Sequence, residues 1–363
     1  MPNLKYFTNS FLFTGGALVA GGAIGWAAGG LSGMLSYVLI CAILGVMEVS
    51  LSLDNAVVNA TVLKDMDPVW QHRFLTWGIW IAVFGMRIVF PLLIVSIAAW
   101  INPAAAIKLA LFEPERYAKI LTDAHIGIAG FGGAFLLMVG LKYFFDAEKE
   151  VHWIGGVERA LTKFSDIEAV EIVIALLTLY GFSRAIPGEE AMSFLVSGIF
   201  GLITFIGVEA LGSFMESATE HGDGEGGERV NTAVRSGAAT FIYLEVLDAS
   251  FSFDGVIGAF ALSNNLFVIA LGLGIGAVFV RSMTIMLVEK GTLAEYRYLE
   301  NGAFWAILAL ALIMFLQTVM HIPEVVTGLI GATLIGLSLW SSVTHNRRAA
   351  ALVQADEMPA AVE

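Results

Sequence analysis

Apolar residues run along this chain in unbroken blocks of about 20, the length that carries a helix across a bilayer. The blocks fall at about 11–30, 34–60, 74–100, 125–145, 168–185, 191–215, 235–260, 266–288, 302–320 and 325–343. The fifth is the weakest, because it opens on Glu168 and Glu171. Pro187, the pair Asn264-Asn265 and His321-Ile322-Pro323 mark short turns between blocks. Continuous runs argue against a β-barrel, whose strands alternate apolar and polar positions. The pattern predicts an all-α polytopic membrane bundle of nine to ten transmembrane helices. The polar, alanine-rich stretch after Asn346 is predicted to be disordered.

Composition sharpens this picture. Of 363 residues, 58% are hydrophobic and 14% charged, against about 25% charged in ordinary soluble domains. The formal net charge of -13 argues against a nucleic-acid partner. A single cysteine, Cys41, excludes a disulfide framework or a cysteine metal cluster. The first block has only Lys5 before it and no small-residue cleavage site, so it reads as a membrane helix rather than a signal peptide. With the N-terminus inside, Lys and Arg divide twelve to four in favour of the inner segments, which predicts two cytoplasmic termini.

Two polar segments interrupt the apolar blocks, and they are near copies. EVSLSLDNAVVNA starts at Glu48 and DASFSFDGVIGAF at Asp248, and they align without a gap. The predicted topology inserts them in opposite senses, the mark of an inverted-topology repeat with a shared site near the membrane midplane. The following blocks agree: Arg87 sits in GMRIV and Arg281 in FVRSM, and the glycine-rich stretches from Gly127 and Gly328 are alike. The division that follows is an N-terminal membrane helix (1–33), repeat 1 (34–165), linking membrane helices (166–215), repeat 2 (216–345) and a tail (346–363).

A carboxylate in a membrane helix costs about 2.5–3.5 kcal/mol on the insertion scale, so a chain that carries it twice in one pattern is expected to use it. Glu48, Ser52, Asn55 and Asn59 form one helical stripe, and Asp248 and Ser252 the matching one, with Glu245 a turn earlier. Ser50 and Asp54 lie about 120° around from Glu48 on a straight helix. Either Asp54 serves another neighbour or the helix breaks between Ser50 and Asn55, a break Gly255 would ease in the second copy. The candidate metal ligands are Glu48, Asp54, Asn55, Asp248 and Asp254, with Glu245 as a further acid or proton carrier and Ser50, Ser52, Ser250 and Ser252 as hydroxyl donors. An all-oxygen set suits Mn²⁺, Ca²⁺ or Mg²⁺, and Met47 would bias it toward Mn²⁺. No histidine falls in either motif, which disfavours zinc or copper. Plainer readings compete. Each acid has an arginine, Arg87 or Arg281, with which to pair; the serines can bond their own helix carbonyls; the glycines at 127, 130 and 133 and at 272, 274 and 276 suit close helix packing; and the loop from Glu216 reads as a solvated linker. No phosphate loop, serine triad or HExxH is present, so neither an enzyme nor an organic cofactor is expected.

At these motifs the chain resembles the TerC family of integral membrane proteins, in the branch filed under an uncharacterised-domain label. The resemblance rests on Glu48 with Asp54-Asn55, on LEVLDASFSFDGVIGA, on LFVIALGLGIGAVFVRSMTI from Leu266, on YLENGAFWAI from Tyr298 and on HIPE at 321, and covers roughly 34–345. It implies a bacterial inner-membrane protein that exports divalent metal, most plausibly Mn²⁺, with links to tellurium resistance, and it implies the acid pairs Glu48 with Asp54 and Asp248 with Asp254. The chain departs from the family where Gly255 follows Asp254 and in the extra spans around 168–215. The expected partners are the lipid bilayer and metal ions, and assembly as a homo-oligomer is left open. A second reading is a membrane scaffold or maturation factor that moves no ion, with the polar loops 146–168 and 216–234 as docking surfaces.

Overall fold

The computed structural model describes residues 4–164, 167, 169–220 and 227–356. Side chains at 189, 215–220, 227–236, 253–254, 261, 324 and 349–356 lie outside that description. The described chain is helical throughout. Seven of its helices are long and apolar enough to cross a membrane, and the chain is a polytopic membrane bundle.

The first, α1 (Thr8–Leu51), is one helix of 44 residues that folds back at Gly29 and Gly30. Gly30 has φ +60, a left-handed value that an L side chain adopts only with strain. Gly25 then meets the Gly33 backbone, Gly22 meets Val38 and Gly21 meets Cys41, so the two arms lie antiparallel and supply two crossings. A break at Ser52 (φ -108, ψ 21) separates α1 from α2 (Leu53–Leu63). The block expected at 34–60 is therefore two helices.

The crossing expected at 74–100 starts earlier, at Pro68, because Asp67 caps it by accepting the Val69 N–H at 3.0 Å. It consists of α3 (Pro68–Trp80), a π-helical stretch Ile81–Val89 and α4 (Phe90–Ala98). Two short helices, α5 (Pro103–Phe112) and α6 (Pro114–Asp123), occupy what the apolar pattern left as a connection. Each opens on a proline, which suits a first helical position. Then come α7 (His125–Phe144), α8 (Gly155–Leu161), α9 (Val170–Ser183) and α10 (Gly188–Glu220). The second motif lies on α11 (Gly227–Leu262), followed by α12 (Leu266–Glu289), α13 (Thr292–Glu295), α14 (Leu299–Gln317) and α15 (Glu324–Asp356). Helix α15 continues past Asn346, and the chain beyond 356 lies outside the described residues, as do 221–226 of the loop from Glu216.

Packing explains the polar placement. The closest partners are α1 with α12, α7 with α10 and α14, and α14 with α15. The main apolar core, around Phe135, Phe144, Phe194 and Phe315, joins α7, α10 and α14 to α2 and α11. The predicted role of the glycines holds where they meet neighbours. A Cβ at Gly276 would collide with the Glu48 side chain, and one at Gly133 with the Phe315 ring. Small residues here let α1 cross α12 closely enough to bury an acid between them.

Candidate functional site

The break at Ser52 turns α2 away from the axis of α1, and the site forms around that corner. Ser52 Oγ donates to Glu48 Oε1 at 3.4 Å, a long bond. Glu48 is 2% exposed and forms an ion pair with Arg87, whose Nη1 also donates to the Ala82 carbonyl at 2.7 Å. The π-helical stretch thus has its own arginine tied back to its first turn. Across the corner, Asn59 Nδ2 donates to Asp248 Oδ1 at 2.7 Å, and Gly255 faces the Glu48 carboxylate, with room for no Cβ. Asn59 meets Asp248 while Glu48 meets Gly255, so the two motif segments pass each other antiparallel.

Two small cavities flank Glu48. The first, about 30 Å³, is bounded by Glu48, Ser52, Asp54, Gly255, Thr327 and Gly331. The second, about 20 Å³, is bounded by Glu48, Asn55, Asn59, Arg87, Asp248 and Arg281. Either is large enough for one water-sized occupant, which needs about 10–15 Å³. The broken helix is what lets Glu48 and Asp54 share the first cavity, as one of the two sequence readings required. Asp54 Oδ1 accepts the Asn55 N–H at 3.0 Å, and its Oδ2 faces Gly331.

The second arginine balances the second motif. Arg281 lies over the Phe74 ring at 3.9 Å. It interacts electrostatically with Asp248 and Glu245, and its guanidinium and Glu245 both crowd Gly78. Several buried polar atoms find no partner among the described residues: Asn55 Oδ1, Asn59 Oδ1, Ser252 Oγ, Thr327 Oγ1 and both Glu245 oxygens. An unpartnered buried polar group costs about 1–3 kcal/mol, and Arg87 Nε and Arg281 Nη2 are unpartnered donors at the same centre, so donors and acceptors here satisfy one another only in part.

The predicted ligands divide accordingly. Glu48, Ser52, Asp54, Asn55 and Asp248 come together around the corner, with Glu245 behind Arg281. Ser50 is exposed and bonds the Val46 carbonyl at 2.8 Å, and Ser250 bonds the Val246 carbonyl at 2.9 Å, the plainer reading of both serines. Ser252 is buried. The Asp254 side chain lies outside the described residues. Helix α11 runs unbroken through Gly255, so the second copy does not repeat the break. Among the described residues no three His, Cys, Asp or Glu side chains gather closely enough to hold a metal by themselves. A cation here would draw on amides, hydroxyls and backbone oxygens beside the acids.

The apolar pattern gave no sign of a second buried acid centre. Glu158 on α8 is 0% exposed and accepts from the backbone of Trp153 and Ile154. It also accepts from Asn301 at 2.8 Å and Trp305 at 2.9 Å, and pairs with Lys149 at 3.0 Å. Burial pushes the Glu158 carboxyl up, but its hydrogen bonds and Lys149 outweigh burial and hold it below the usual carboxylate range. Both Glu158 oxygens accept hydrogen bonds, so this centre clamps the 145–164 segment onto α14 rather than offering a vacant carboxylate.

A family model for a protein of unknown function, DUF475, matches residues 53–349. No curated protein and no solved structure matches.

Proposed function

This chain belongs to the DUF475 family and is a membrane protein, and we propose that it is a secondary transporter that exchanges a divalent metal cation for protons. The observation that carries the reading is a charge imbalance in a closed core. Three acids, Glu48, Asp54 and Asp248, border two small cavities together with Arg87 and Arg281, and a fourth, Glu245, lies beside Arg281 at Gly78. The described side chains therefore carry a formal excess of two negative charges where charge is costly to bury. Two protons or one divalent cation neutralise it, and both compete for the same oxygens. The broken helix and the antiparallel motifs are the architecture that small ion-coupled transporters use at such a site.

Mn²⁺ is the favoured cargo, and Mg²⁺ and Ca²⁺ share its preference for oxygen ligands. We further place the protein in a bacterial inner membrane with both termini cytoplasmic, from the distribution of Lys and Arg and from the resemblance to TerC proteins, and take net transport to be export. No enzymatic role is proposed. The test is flux of Mn²⁺ into proteoliposomes, read with a quenched dye inside, against an imposed pH gradient. Wild-type protein is expected to move Mn²⁺ and counter-move protons, and Asp54→Asn to abolish both while the protein remains monodisperse. Well-folded wild-type protein that moves no divalent cation under either gradient would overturn the reading.

A further inference from the structure

Two open clefts lie at opposite ends of the bundle, and the order of residues along three helices connects them through Glu48. On α11, Ala239 and Tyr243 line one cleft, Phe251 and Gly255 the central cavity, and Gly258 and Leu262 the other cleft. On α14 the same order reads Phe304, then Ala306 to Ile313, then Gln317. Helix α7 runs the other way, from His125 in the second cleft, past Gly132 against Ser250, to Val139 and Tyr143 in the first. Met47 lines the second cleft and its neighbour Glu48 the central cavity. Cleft, centre and cleft therefore follow one another along the bundle.

The clefts differ in chemistry. The first, about 690 Å³, carries Asp146, Glu171 and Glu209 against Lys142, which is paired to Glu209 at 3.1 Å. Its charged groups are mostly carboxylates. Among the described residues that line the second, about 720 Å³, there is no carboxylate; the side chain of Glu324, between the lining residues Pro323 and Val325, lies outside the description. This cleft presents the imidazoles of His125 and His321, the thioethers of Met47 and Met320, and Gln317. The Gln317 Oε1 is buried and accepts no hydrogen bond from a described residue. Imidazole nitrogens beside an amide oxygen are accepted by first-row transition metals, including Mn²⁺ despite its preference for oxygen, and offer little to Ca²⁺ or Mg²⁺.

We propose that the cleft bearing His125 and His321 is a second binding site for the transported cation, at the mouth of the path to Glu48, and that its imidazoles select transition metals over Ca²⁺ and Mg²⁺. The inference rests on the transport reading for its path, while binding is tested separately. An ion leaving the oxygen site meets the imidazole, thioether and amide donors of this cleft, and protonation of the imidazoles releases it.

The binding test uses purified full-length protein loaded with Mn²⁺ and pulsed electron spin resonance. Nitrogen coupling from imidazole is expected in wild type and lost in the His125→Ala/His321→Ala double variant. Wild type without that coupling, or a double variant that keeps it, would overturn the proposal. His125→Asn/His321→Asn, which keeps polar side chains, stands in if the alanine variant fails to fold. The flux test compares Mn²⁺ with Ca²⁺ in proteoliposomes, and the double variant is expected to lose several-fold in Mn²⁺ preference. An unchanged preference in a variant that still transports would also overturn it. Wild type that binds Mn²⁺ through nitrogen but moves no cation would instead count against the transport reading alone. Finally, Thr318→Cys in a Cys41→Ala background is expected to react with a membrane-impermeant thiol reagent, and a silent thiol would place the cleft in lipid and defeat the proposal.

Discussion

Removing Arg87 leaves Glu48 as a buried charge without its ion-pair partner, with a long bond from Ser52 as its remaining hydrogen bond among the described residues. Breaking a buried pair from one side costs about 3–5 kcal/mol, whereas removing both charges together is close to neutral. Arg87→Met is therefore expected to lower the melting temperature sharply in detergent, and Glu48→Gln/Arg87→Met to recover most of the loss. Purely additive effects of the two single variants would show that the pair carries no coupling. At Glu158 the sign of the pH dependence follows from its carboxyl being held below the ordinary value of about 4.3. The stability it gives the 145–164 loop is complete above that value and lost as pH falls through the lower folded value. Lys149 acts at the other end of the scale. Burial lowers its ammonium from the usual lysine range, with Glu158 opposing, so its cost is relieved as pH rises through the lowered folded value. Hydrogen exchange in the loop, corrected for intrinsic rates, is expected to rise below pH ~4 in wild type and to lose that dependence in Glu158→Gln. The burial of Glu48 and Asp248 was legible because apolar neighbours surround them in sequence. That of Glu158 was not, since its partners Asn301 and Trp305 lie far along the chain in a different helix.

A helix advertises a break when its chemistry sits on the wrong face. Asp54 stands on the wrong face for a straight helix, and the chain does break, at Ser52. The same logic failed for the second copy, because Gly255 is used to make room for Glu48 rather than to end a turn. The π-helical stretch Ile81–Val89 left no trace in the apolar pattern, since nothing in IAVFGMRIV interrupts helical spacing; within it Arg87 bonds the Ala82 carbonyl and pairs with Glu48. Helices α5 and α6 were missed because each is shorter than a crossing. The fold of α1 at Gly29 and Gly30 agreed with two separate blocks on either side. Gly30→Ala puts a side chain at a left-handed position and is expected to cost about 1–2 kcal/mol. A thermal melt of the variant in detergent checks this, and an unshifted transition would mean that the hairpin turn carries no strain.

Across the whole bundle, transport and charge are one question. If one divalent cation replaces two protons at the Glu48 centre, flux is electroneutral, and a membrane potential of either sign is expected to leave the initial Mn²⁺ rate unchanged while a pH gradient alters it. A rate that tracks the potential would mean a different proton count. The nine to ten crossings expected from the blocks compare with seven helices of crossing length among the described residues, of which α1 folds into two arms. The difference falls on α11, whose side chains are described only in part, and on the short α9. One feature reaches beyond the site it serves. The Ile81–Val89 stretch is wound more loosely than an α-helix. Tightening it by a single residue would swing everything that follows by about 100° and lift the guanidinium of Arg87 off its acid.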